Sequence, residues 1–238
     1  MRLDLIGVDV RRGATLAASN VTFTVAAGSW LGVVGANGSG KTSLLRAVAG
    51  RLDLAGGLIM VDGIDRSADR AWRARAIGFA PDAASLPGRP TAAQLYTLLG
   101  GGADERAALV SLRSALGIDG LRDHRIDTLS SGNRQRIALY AAFVAPEPRR
   151  AVILDEPFNW LDPVAAYDLK QAMAGLVADG LTLMTALHDL GSWVMLCDHG
   201  VMLTDGRIAA ELTAVELAAG RGDLAAFEHR MITALRAR

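Results

Sequence analysis

Three features of the chain predict an α/β sheet domain interrupted by a helical insertion. Short apolar runs of strand length alternate with stretches of helical spacing. A glycine-rich loop at residues 35–42 lies between one such run and a helix. From about Ala83 to Ala145 the chain becomes helical, alanine-rich and arginine-rich, and strand-like runs then resume.

Residues 3–10 and 20–25 are short β-type segments, and "GSW" at 28–30 reads as the turn into the next strand. "WLGVVG" at 30–35 is a buried strand ending in glycine. In the helix that follows, Leu44, Leu45 and Val48 keep helical spacing, and Gly50 is its expected stop. A hairpin is expected over 56–65. Pro87 and Pro90 mark entry to the helical segment, and "APEPRR" at 145–150 leads out of it. "AVILDEP" (151–157) is a buried strand, 163–180 a helix with a glycine stop, and "LTLMTAL" (181–187) another strand. Residues 200–212 form a hairpin turning at Asp205-Gly206. The tail beyond Leu212 is expected to be helical, with no room for a further domain.

The 238 residues are 51% apolar and 21% charged, which fits an ordered globular protein of one large or two small domains. The 25 basic and 25 acidic residues cancel. No broad field therefore attracts polyanions, and no nucleic-acid partner is expected. Cys197 is the one cysteine, so an intrachain disulfide is excluded and a reducing cytosol is the natural setting. The start, "MRLDLIGVDV", lacks the apolar core of a signal peptide. No apolar stretch approaches the roughly 20 residues that span a bilayer, so the chain is not expected to cross a membrane by itself.

Lysine occurs only at Lys41 and Lys170, against 23 arginines. Lys41 falls in "GANGSGKT", which matches G-x-x-x-x-G-K-[ST] between a strand and a helix. About 0.002 chance matches are expected from this composition. In such a loop Gly35, Ala36, Asn37, Gly38, Ser39 and Gly40 curl the backbone so that successive N–H groups point at phosphate oxygens. The helix that starts there with Lys41, Thr42 and Ser43 adds its positive dipole end. Lys41 supplies a compact ammonium and Thr42 a hydroxyl for Mg²⁺. A planar guanidinium does not sit inside the loop in the same way, which explains the exception to arginine.

Asp155 and Glu156 stand at the carboxyl end of one apolar strand and His188 just past the end of another. Ligands of open parallel sheets bind beyond those ends. A phosphate cradle, two carboxylates and an imidazole are therefore expected at one edge. Asp155 is the expected Mg²⁺ partner, Glu156 the acceptor of a proton from attacking water, and His188 a group that orients that water.

The segment "LSSGNRQRIALYAAFVAPEPRRAVILDEPFNWLDP" (129–163) resembles the ATP-binding cassette (ABC) family, specifically its transporter nucleotide-binding subunits. "LSSGNRQR" is similar to the family's signature motif, "NWLDP" (159–163) to its D-loop with Asp162 at the aspartate position, and "IGFAPD" (77–82) to the stretch ending in its Q-loop. The resemblance covers nearly the whole chain. It implies a P-loop NTPase core with a mixed, RecA-like sheet and an antiparallel β subdomain over 1–82 and 146–238. A helical subdomain over 83–145 would carry the signature.

The resemblance further implies ATP and Mg²⁺ as ligands and a head-to-tail pair with a second cassette. Ser130, Ser131, Gly132, Asn133 and Asp162 of each copy would face the other copy's nucleotide, with the helix after Ser130 kept apolar by Ile137, Tyr140 and Val144. The pair would drive integral membrane transporter subunits from the cytoplasmic face of the cell membrane. A groove near Asp82, beside the helical segment, would receive the membrane subunit.

Four positions depart from the family pattern. Asp82 stands where the Q-loop glutamine meets Mg²⁺ and the attacking water, and an aspartate there is still able to serve catalysis and metal binding. Arg12 falls where an aromatic residue usually stacks on adenine, and its guanidinium can stack instead. In the signature, Ser131 and Asn133 replace the usual glycine and glutamine. A weakly hydrolysing regulatory cassette paired with an active one stays open on these grounds. A soluble cassette acting on ribosomes or DNA usually has tandem cassettes or long insertions, which this chain lacks. Trp30 and Trp160 are expected to pack near the core and the D-loop.

Overall fold

The computed structural model describes residues 1–101, 107–145 and 149–236. Strands β1 (Leu3–Arg12) and β2 (Thr15–Val25) form a long hairpin, and β3 (Trp30–Val34) runs into the glycine-rich loop and α1 (Lys41–Val48). Next come β4 (Gly56–Val61), β5 (Ile64–Asp65), α2 (Arg70–Ala76) and β6 (Ile77–Phe79). The helical stretch holds α3 (Ala92–Leu98), α4 (Ala107–Ala115) and α5 (Ser131–Ala141). The chain then returns through β7 (Ala151–Asp155), α6 (Pro163–Ala178), β8 (Thr182–Leu187), α7 (Leu190–Leu196), β9 (His199–Thr204) and β10 (Arg207–Leu212). It ends in α8 (Ala214–Gly222) and α9 (Leu224–Arg236).

Two sheets result. The larger has the order β10-β9-β3-β8-β7-β6, parallel except for the edge strand β10; the smaller, β2-β1-β4-β5, is antiparallel. This is the expected α/β fold with an antiparallel part. The first hairpin is longer than its apolar runs suggest, because mutual hydrogen bonding carries both strands out to the turn at Gly13-Ala14.

Helix α1 lies between the sheets. Leu44, Leu45 and Val48 are fully buried in a core with Leu3, Leu5 and Val33, as their spacing predicts. A second core joins the other face of the large sheet to α3, α5, α6 and α7, and the rings of Tyr96 and Tyr140 meet edge-on at 5.0 Å between α3 and α5. Burial of these apolar side chains is the main stabilising term, at about 25 cal/mol per Å². Trp193 of α7 lies so close to β3 and β9 that a Cβ at Gly32 or Gly200 would run into its ring.

Three expectations change. Trp30 is core, at 1% exposure, but Trp160 is 64% exposed because the turn before α6 points it outward. The signature helix ends at Ala141, so Val144 is buried from the connection that follows and not from the helix. Trp30 already opens β3, which moves the turn of "GSW" back to Ala26–Gly28. Among the described residues no helix is long and apolar enough to cross a membrane.

Candidate functional site

The order of strands decides the geometry. β8 lies between β3 and β7, with Val34 opposite Leu187 and Asp155 opposite Ala186. The loop after β3, the carboxylates at the end of β7 and the imidazole after β8 therefore meet at one sheet edge. The N–H of Glu156 donates to Ala186 O (3.2 Å), holding the end of β7 against β8.

The loop is tied down from both sides. Ser39 N–H donates to Ala36 O (3.1 Å), and Gly206 N–H donates to Ser39 O (3.0 Å) from the β9–β10 turn. Gly40, with φ at 101°, sits where a Cβ would collide with Ala17 O, so the turn requires glycine. Lys41 is 5% exposed and donates to Gly35 O (2.7 Å) and Ala36 O (3.2 Å), which aims the ammonium across the loop. Burial pushes this ammonium below the usual lysine range, opposed by the carboxylates of Glu156 and Asp155.

Burial pushes the Asp155 carboxyl up, a hydrogen bond with the Thr42 side chain partly offsets it, and the neighbouring Glu156 charge pushes it further up. Asp155 Oδ1 is buried and has no hydrogen-bond partner among the described residues. A buried carboxylate oxygen of this kind, next to a hydroxyl, fits a divalent cation. No group of three or more His, Cys, Asp and Glu is arranged for a metal among the described residues. Mg²⁺ is commonly held by one or two protein ligands together with substrate phosphates and water, so Thr42 with Asp155 is a fitting set.

Glu156 has φ at 52°, in the left-handed region, which turns its side chain away from the strand direction. Its Oε1 lies 2.5 Å from His188 Nε2, and its Oε2 accepts from Asn159 Nδ2 at 2.8 Å. A cavity of about 690 Å³ opens over the loop, lined by Asn37–Ser43 and Glu156, and walled by Arg12, Thr15, Leu16 and Ala17 of the first hairpin and by Asp205 and Gly206. That volume suits a small-molecule ligand.

Arg12 thus stands at the wall of this cavity. Asp205 and Gly206 are legible in sequence only as a hairpin turn, which they are, with φ of 48° and 75°. Their position as a wall is not legible there, nor is the grip of Asn159 on Glu156.

Other predicted residues lie elsewhere. Ser130 caps α5 by accepting from Asn133 N–H (3.2 Å), but Ser130, Ser131, Gly132 and Asn133 do not line the cavity. Asp162 is also away from it. Its Oδ1 caps α6 through Val164 N–H (3.1 Å) and Ala165 N–H (3.0 Å), and its Oδ2 pairs with Arg136 of α5 at 3.3 Å. The bond from Ala165 N–H is the first cause holding this carboxyl below the usual range.

Asp82 is exposed, and its Oδ1 accepts from Ala84 N–H (2.9 Å) at the start of a short 3₁₀ turn. It lines a separate groove of about 550 Å³ with Phe79, Pro81, Leu95 and Leu99. The expected place at the metal is therefore not where the carboxylate sits, because capping that turn holds it outside the phosphate cavity.

A family model described as "ABC transporter" matches residues 18–159. The chain belongs to the ABC transporter family. Over 217 residues this cassette is 31% identical to the "Hemin import ATP-binding protein HmuV" of Pseudomonas entomophila, covering 86% of this chain and 84% of that one. It is 31% identical over 211 residues to the "Ferric enterobactin transport ATP-binding protein FepC" of Escherichia coli, covering 84% and 77%. A solved "Structure of ATP binding subunit of ABC transporter" superposes with a TM-score of 0.79 at 25% identity over 93% of this chain and 94% of that one. The cassette is accordingly an ATP-binding, ATP-hydrolysing subunit that powers an ABC transporter.

Proposed function

We propose that the cassette grips MgATP with residues 35–43, hydrolyses it at Glu156, and passes the resulting opening and closing to a membrane subunit. The meeting of Lys41, Thr42, Asp155, Glu156 and His188 at the ends of three parallel strands carries this reading. Amides of the loop and the start of α1 would hold the phosphates, with Lys41 as the point charge. Arg12 would lie along the base. Thr42 and Asp155 would hold Mg²⁺, which neutralises phosphate charge and orients the triphosphate. Glu156 would take a proton from water as its oxygen forms the bond to the γ-phosphorus and the bond to the ADP oxygen breaks. His188, on the other side of that carboxylate, would orient the water.

The signature residues Ser130–Asn133 and Asp162 lie off this chain's own cavity, which supports a head-to-tail pair in which a second copy supplies them. The hemin-import relative supports uptake as the direction of transport, with the cassette at the cytoplasmic face of the membrane.

The groove beside Asp82 is the proposed docking place of the membrane subunit. Its apolar floor is rimmed by Arg46, Arg51 and Arg149. Burial and the neighbouring Arg51 hold the Arg149 guanidinium below its usual range. A helix end carrying a carboxylate complements that rim. The cassette is expected to co-purify with a polytopic membrane protein from membrane extracts, and Arg51→Glu to reduce the recovered partner about 10-fold. Recovery of the cassette alone from such extracts overturns the coupling.

Asp82 belongs to the same proposal. In Asp82→Gln, ATP affinity and the ratio of turnover in Mg²⁺ to that in Mn²⁺ are expected to stay within about two-fold of wild type, while stimulation by the membrane subunit changes. A changed Mg²⁺/Mn²⁺ ratio returns Asp82 to the metal.

A further inference from the structure

We infer that Asn159 is a positioning residue for hydrolysis, one that sets the plane of the Glu156 carboxylate. The inference rests on the reading of Glu156 as the proton acceptor. The last torsion of a glutamate side chain is broad and roughly two-fold, so a single contact leaves the carboxylate free to rotate. Here each oxygen has its own partner: His188 Nε2 at 2.5 Å from Oε1, and Asn159 Nδ2 at 2.8 Å from Oε2. Two contacts on separate oxygens define the plane. An ionised carboxylate offers about four acceptor sites, so these two leave capacity for a water.

Closing the turn does not account for the side-chain bond. The backbone N–H of Asn159 already reaches Glu156 O (3.4 Å), and the turn needs no amide side chain for that. The side chain is exposed to solvent apart from this grip. Its amide offers a donor without a charge, whereas a lysine or arginine would compete with Lys41 for the carboxylates. Asn159 also begins the segment that ends at Asp162, the cap of α6. A shift of that segment therefore reaches the proton acceptor through one hydrogen bond.

Asn159→Ala and Asn159→Asp test this in the full chain, with steady-state ATP turnover and equilibrium binding of a fluorescent ATP analogue measured in parallel. Aspartate matches asparagine in size and in turn preference but does not donate when ionised. A purely structural role is therefore satisfied by Asp and a positioning role is not. Both variants are expected to lose about 10-fold in kcat with KM and nucleotide affinity unchanged, as misplacement of a reacting group does. Wild-type kcat in Asn159→Asp overturns the inference, as does a faster kcat in Asn159→Ala, which would make the contact a restraint. Glu156→Gln separates the premise: full turnover there overturns the proton-acceptor reading. Loss there with unaltered Asn159 variants overturns the role of Asn159 alone.

Discussion

Lys41→Ala is expected to weaken MgATP binding on the order of 100-fold while the chain stays folded. The ammonium is 5% exposed and, among the described residues, donates to two carbonyls of its own loop, Gly35 and Ala36. Truncating one member of a buried, hydrogen-bonded charge contact costs about 2–5 kcal/mol, and 1.4 kcal/mol is tenfold in affinity. The fold depends little on this group, because burial of the charge opposes folding and α1 is anchored by Leu44, Leu45 and Val48. Calorimetric titration with MgATP, with a thermal melt of the same sample, reads both quantities. Lys41→Arg is expected to fall nearly as far, since a broad planar fork does not fit the cramped space inside the loop. Undiminished affinity in a folded Lys41→Ala protein removes the phosphate-cradle reading.

Glu156→Gln is the second large effect. Turnover is expected to drop about 10²–10⁴-fold, the range that a positioned general base contributes. Nucleotide affinity should hold or rise, since a negative charge near the triphosphate is removed. The amide keeps an oxygen for Asn159, so the local geometry survives and the loss reports on proton transfer. Phosphate release under single-turnover conditions measures the chemical step directly. Wild-type rates would falsify the assignment of Glu156 and transfer attention to His188, which adjoins it at 2.5 Å.

Lys41 and Glu156 are both legible in the bare sequence because their signals are local. A lysine in a chain that otherwise favours arginine, set directly after the last of three glycines in a loop that follows an apolar run, has a chemical reason at that spot. Carboxylates that follow four buried apolar residues must emerge at a strand end, since a strand of alternating faces buried on both sides leaves only its ends for charge. The turn at Asp205-Gly206 and the stop at Gly50 follow equally from backbone conformation, with both glycines at positive φ. Periodicity misplaces Val144 because apolar spacing persists past the residue at which the helix hydrogen bonds end. Trp160 is misplaced because large apolar side chains near a motif resemble core ones in sequence.

The chain's own residues determined the kind of chemistry: a glycine loop with the Lys41 ammonium and the Thr42 hydroxyl, a pair of carboxylates, and an imidazole, each set by spacing to its neighbours. Tertiary structure alone decided which of them meet. Inserting β8 between β3 and β7 brings His188 to Glu156, and bending the first hairpin over the loop makes Arg12 a wall of the cavity. A turn-capping bond keeps Asp82 in a separate groove. Periodicity and turn chemistry act over a few residues, whereas strand order and side-chain contact depend on burying both faces of the sheet at once, which no short stretch of sequence specifies.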